Sequence, residues 1–131
     1  HLKTQLKPIY LITGDEAFLA QETTTLLRTA AQNSGFQERK IFSVETGFNW
    51  ELFLAEAAQQ ALFNPQVLFE LRLPASKINE AAKQALLKYM ELASPDKILL
   101  INTDKLEAKH QNSTWYKKIE QQGTIITLWP M

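Results

Sequence analysis

Five short apolar runs, separated by longer stretches with helical spacing, constrain the fold of this chain more than any other feature. They are Pro8–Thr13, Lys40–Val44, Val67–Leu73, Lys97–Asn102 and Thr124–Leu128, each too short for a helix and rich in strand formers. Between them, Glu16 to about Ser34 places Leu19, Thr23, Leu26, Leu27 and Ala30 on one helical stripe, with Gly35 just past the end. Asn49 offers a cap for a helix from Trp50 to about Gln60, whose inward face is Trp50, Phe53, Leu54, Ala57 and Ala58. A third helix, Ile78 to Leu92, presents Ile78, Ala82, Ala85, Leu86, Tyr89 and Met90, and a fourth runs from Gln111 to Gln122 and ends at Gly123. Strands that alternate with helices and are apolar on both faces imply a three-layer α/β fold. It has a mainly parallel five-stranded sheet covered on both sides. The alternation in Val67–Leu73 is expected to put that strand nearer the sheet edge.

The 131 residues, 45% of them apolar, suffice for one core, so residues 1–131 are expected to form a single domain. Fourteen basic and 14 acidic side chains cancel, leaving no overall field toward nucleic acid or anionic membrane. The absence of cysteine removes disulfides, thiolate metal sites and cysteine nucleophiles, and fits the reducing cytoplasm. No apolar run approaches the ~18 residues of a membrane span. The opening His1-Leu2-Lys3, without a Met, and the closing Trp129-Pro130-Met131, just beyond a strand, suggest a fragment of a longer chain.

In an open parallel sheet, ligands sit beyond the carboxyl ends of the strands. After the first strand the chain reads Thr13-Gly14-Asp15-Glu16-Ala17-Phe18-Leu19, without the further glycines or the Gly-Lys-Ser/Thr that grip phosphate and magnesium. With only four glycines, Gly14, Gly35, Gly47 and Gly123, no dinucleotide fingerprint can be assembled either. Asp15 and Glu16 set carboxylates where phosphate would lie, and suit a helix cap. They also suit magnesium, so a small nucleotide- or magnesium-binding domain using the Gly14/Asp15 edge is the alternative. A phosphoacceptor receiver is disfavoured, because the third strand ends Arg72-Leu73-Pro74 and the last Leu128-Trp129-Pro130.

His110 lies in a polar stretch without a serine and carboxylate to complete a triad, and is expected at the surface. Asn102, Thr103 and Asp104 suit a turn and helix cap. Trp50, Phe53, Phe69 and Trp115 fall at core spacings. Lys105, Lys109, Lys117 and Lys118 are the one basic concentration worth testing against DNA, although Glu107 and Glu120 interrupt it. Leu62-Phe63 stands apart, because two large apolar residues precede the Asn64-Pro65 break. They either fold back onto the core or form an exposed plug for a partner's pocket.

Taken together, Pro8-Ile9-Tyr10-Leu11-Ile12-Thr13-Gly14-Asp15-Glu16, Ile41-Phe42-Ser43, the helix opened by Trp50, and Ala61-Leu62-Phe63 before an apolar strand carry a resemblance. The chain resembles the N-terminal domain of the bacterial DNA polymerase III delta subunit, the clamp-loader wrench, over essentially its whole length. The resemblance implies an AAA+-like P-loop NTPase fold with a degenerate nucleotide site, no ATP or other cofactor, no metal, and no catalytic residues in this domain. The whole subunit is classed with a nucleotidyltransferase. It implies a clamp-binding site at Leu62 and Phe63, with Ala61 and Gln60 beside them, for the sliding clamp (beta subunit). It further implies contact with other clamp-loader subunits through regions absent here, only indirect contact with DNA, and none with membrane. Asn102 matches the sensor position of ATP-using relatives, with no phosphate loop to serve. Asn64-Pro65 departs from the pattern at the plug.

Overall fold

The runs that form Ile9–Gly14, Val67–Arg72 and Lys97–Asn102 are covered on both faces, whereas Glu38–Ser43 and Thr124–Leu128 are only partly covered. The computed structural model describes residues 6–14, 16–58, 66–92 and 96–128. In chain order the elements are β1 (Ile9–Gly14), α1 (Ala17–Asn33), β2 (Glu38–Ser43), α2 (Trp50–Ala58) and β3 (Val67–Arg72). A short 3-10 turn (Ala75–Lys77), α3 (Glu80–Glu91), β4 (Lys97–Asn102), α4 (Ala108–Gln111), α5 (Thr114–Gln122) and β5 (Thr124–Leu128) follow. The five strands lie in the order β2-β3-β4-β1-β5, and every pairing is parallel. This is the expected three-layer α/β sheet. No helix among the described residues is long and apolar enough to cross a membrane.

Strand alternation divides the interior in two. Ile9, Leu11, Phe69, Leu71, Leu99 and Ile101 face the larger core beneath α2, α3 and α5, whereas Tyr10, Ile12, Leu68, Ile98 and Leu100 face the smaller one beneath α1. At the centre of the larger core Phe53 is fully buried. Its ring centroid lies 5.2 Å from Phe42, 5.8 Å from Trp50 and 5.9 Å from Tyr89. These separations are typical of favourable aromatic pairs. They fix the start of α2, whose cap is also as expected, with the Leu52 N–H donating to Asn49 Oδ1 at 3.0 Å. All six residues expected on the inner face of α3 are buried.

Several expectations need correction: Ala58, expected on the inner face of α2, is exposed. The stripe of α1 is rotated: Leu26 is 71% exposed, while Thr24 and Ala31 are the buried residues. Thr24 tolerates burial because its hydroxyl donates to the Ala20 carbonyl at 2.8 Å. β3 is not at an edge, since β2 and β4 flank it and the edges are β2 and β5. Its polar residue Glu70 is 1% exposed and accepts from two arginines that arrive from α1 and β2. Arg28 Nε and Arg39 Nε lie 2.8 and 2.6 Å from Glu70 Oε2. The helix expected from Gln111 to Gln122 starts later, at Thr114, as α5, and a separate short α4 ends at Gln111, with Asn112 and Ser113 between them. Finally, His110 is not at the surface but 9% exposed, tilted against Trp115 with ring centroids 6.3 Å apart. Burial chiefly lowers its pKa, with Lys109 and Lys83 acting in the same direction.

Candidate functional site

The carboxyl edge of the sheet is where a nucleotide enzyme of this architecture holds its ligand. Here β1, β3 and β4 end at Gly14, Arg72 and Asn102. They open onto a cleft of about 430 Å³ whose lining includes Ala17, Ala20 and Asp104. Next in sequence to the lining residue Ala17, Glu16 caps α1, its Oε1 accepting from the Phe18 N–H at 3.2 Å. The carboxylate thereby occupies the amino end of the helix dipole, the position a phosphate would take. Asp15 lies outside the described residues.

Further inside, the cleft groups bond to one another. The Thr24 hydroxyl of α1 lies 3.1 Å from Asn102 Oδ1, tying the polar residue at the end of β4 to the helix. Thr13 donates to the Asp104 carbonyl at 2.7 Å, and Asp104 Oδ1 accepts from the Ala75 N–H at 2.7 Å. Asp104 therefore secures the turn after β4 to the turn after β3, as expected of loop chemistry. Among the described residues no three His, Cys, Asp or Glu side chains come together as a metal site. Arg72, exposed at the cleft, is a lining residue the sequence did not single out, and only the strand order identifies it.

Lys105, Lys109, Lys117 and Lys118 are all exposed, and Lys109 lies 3.6 Å from Glu107. That carboxylate offsets part of the local charge a DNA backbone would need. Gln60, Ala61, Leu62 and Phe63, together with Asn64-Pro65, lie outside the described residues. The described residues on either side are Ala58 of α2 and Gln66, just before β3.

Comparison with known proteins bears on the whole arrangement. The family model described as DNA polymerase III, delta subunit, matches residues 10–128. The chain is 26% identical over 126 residues to DNA polymerase III subunit delta of Escherichia coli, covering 96% of this chain and 37% of that protein. It is 23% identical over 121 residues to the subunit of the same name from Haemophilus influenzae, covering 92% of this chain and 35% of that one. It therefore spans little more than a third of the length of these relatives. Among solved structures, the DNA clamp loader delta protein of Bacillus subtilis superimposes with a TM-score of 0.72 at 18% identity. That match covers 96% of this chain and 39% of the other, and the two share their fold. With nearly every described element inside the matched span, the chain belongs to the DNA polymerase III delta subunit family.

Proposed function

We propose that this chain is the clamp-binding part of a clamp-loader delta subunit. In this role it grips the sliding clamp (beta subunit) through a hydrophobic plug and helps to open it during DNA replication, without binding ATP itself. The plug is Leu62 and Phe63, with Ala61 and Gln60 as its flank. The observation that most supports this reading is the Glu16 carboxylate capping α1, which sets negative charge at the one position an ATP-using relative must keep free for phosphate. Other loader subunits would be engaged through parts of the delta subunit beyond this segment, and DNA only through them. Ring opening follows if the contacts around the plug favour an opened clamp over a closed one, because a ligand shifts an equilibrium only by its differential affinity.

Titrating the clamp with this chain and with a Leu62→Ala/Phe63→Ala variant tests the plug. Each side chain, buried in a partner's pocket, contributes roughly 1.5 kcal/mol or more, so the variant is expected to bind at least about a hundredfold more weakly. Its circular dichroism and melting should stay close to those of the parent. Unchanged affinity, or loss of the fold, rejects the plug. Calorimetric titration with Mg-ATP is expected to show no saturable heat. Binding that disappears in Asp15→Ala would instead support the nucleotide- or magnesium-binding alternative.

A further inference from the structure

One helix is too narrow to cover a whole face of a five-stranded sheet. Strands about 4.8 Å apart make a sheet roughly 20 Å wide, and a helix is about 10 Å across. Among the described residues α1 is the one helix that packs on its face of the sheet, and the edge strand β2 is left open there. Arg39, Ile41 and Ser43, which point to that face, are all exposed, whereas Lys40 and Phe42, on the face of α2, are partly covered. Ile41, 43% exposed, is thus an apolar side chain left in the open on an otherwise well-covered fold.

What surrounds Ile41 is specific. The chain has three arginines, Arg28, Arg39 and Arg72, against eleven lysines, and all three arginines meet on this shelf. Arg28 comes from α1 and Arg39 from β2, and both bind Glu70 of β3. Arg72 stands two residues beyond Glu70 on the same strand, and so on the same face, opposite Ser43 in the register. Glu70 accepts two hydrogen bonds from each of its arginines. A guanidinium carries five N–H donors, so donors remain on both, and both side chains reach solvent. Arg72 is exposed and takes part in none of the ion pairs among the described residues. Asp104 follows β4, on the side of β3 away from β2, and is held by the Ala75 N–H. Counting Arg28, Arg39, Arg72 and Glu70, the shelf keeps two positive charges. Holding Glu70 does not require Arg72, and guarding a sheet edge with charge does not require an exposed isoleucine.

We propose that this shelf is a docking site for an acidic segment of a partner protein, whose carboxylates pair with Arg72 and with the remaining donors of Arg39 while an apolar side chain between them covers Ile41. Arginine suits this use better than lysine, since its planar fork takes a carboxylate in two parallel bonds. A nucleic-acid backbone fits less well, because it calls for a run of phosphate contacts, and the shelf offers one arginine outside the ion pairs and two that share Glu70. The proposal does not depend on the plug. Its test is fluorescence anisotropy of a labelled peptide of alternating Glu and Leu, titrated with the full 131-residue chain. A Gln/Leu peptide and single-stranded oligothymidylate are the other probes. The Glu/Leu peptide is expected to bind saturably, with affinity falling roughly three- to tenfold in Arg72→Gln, the range of one partly exposed charge-assisted pair. Ile41→Ser should weaken it as well, whereas Lys118→Gln, the same change of charge at an exposed lysine of α5, should leave it unchanged. An equal loss in Lys118→Gln would reduce the attraction to general charge, and equal binding of the Gln/Leu peptide would reduce it to apolar contact. Either result overturns the proposal, as does a Glu/Leu peptide that does not bind. Tighter binding of oligothymidylate than of the Glu/Leu peptide would assign the arginines to nucleic acid and overturns it too.

Discussion

Glu70→Leu is expected to destabilise the fold by about 3 kcal/mol, lowering the melting temperature by roughly 10 °C for a domain of this size. The carboxylate is 1% exposed and accepts four hydrogen bonds, two from Arg28 and two from Arg39. Removing it leaves two guanidinium groups facing each other across a strand with no counter-charge. Their side chains are 26% and 34% exposed, so part of the lost interaction is recovered from water. That places the cost at the lower end for a broken buried pair. Replacing all three residues with apolar ones of similar size, Arg28→Met, Glu70→Leu and Arg39→Met, is expected to restore most of the stability, because no unpaired charge remains. If the single variant melts with the parent, the triad does not hold α1 and β2 to β3. The same group gives an acid-sensitivity prediction. Burial, the largest single influence, pushes the Glu70 pKa up, but the hydrogen bonds and charges of Arg28 and Arg39 outweigh it and hold it below the ordinary value of 4.5. A lowered folded-state pKa contributes stability that is complete above the unfolded value and is lost as pH falls through the folded one. Stability of the parent should therefore fall more steeply below pH 4.5 than that of the triple variant.

That triad also shows what the sequence could not convey. A polar residue alternating with apolar ones in Val67–Leu73 is the pattern of a half-exposed strand, and nothing local distinguishes it from an interior strand with one satisfied charge. The distinction lies in Arg28 and Arg39, which are 42 and 31 residues away. His110 was misplaced for a similar reason, since its cover comes from Trp115 after a helix break that the composition does not mark. Where the signal was local, the agreement is close. Lys97–Asn102 and Thr124–Leu128 are strands over the expected residues, and the inner face of α3 is as its spacing implied. The candidate site divides along the same line. The missing phosphate-loop chemistry was legible in Gly14 to Leu19 and agrees with the Glu16 cap. The Thr24–Asn102 contact depends on strand order, which alternation alone does not specify.

Gly14→Ala is expected to cost about 4 kcal/mol, and the reason shows what the glycine does when no phosphate is bound. Its φ of +142° lies where side-chain-bearing residues are strained by roughly 1–3 kcal/mol. A Cβ there would also stand 2.1 Å from the Leu128 carbonyl oxygen of β5, a backbone overlap that adds roughly 1–3 kcal/mol of displacement. The other end of the same strand pair has a matching constraint, for a Cβ on Gly123 would lie 1.9 Å from the Ile9 carbonyl oxygen. Glycines thus permit the close approach of β5 to β1 at both ends, and the register from Tyr10↔Thr124 to Gly14↔Leu128 runs between them. A phosphate-binding glycine would make a different prediction, since its replacement would weaken ligand binding while leaving the unliganded domain stable. Thermal or urea unfolding of Gly14→Ala without any ligand separates the two. A large loss assigns Gly14 to joining β5 to the sheet, whereas parental stability would return it to the candidates for ligand contact.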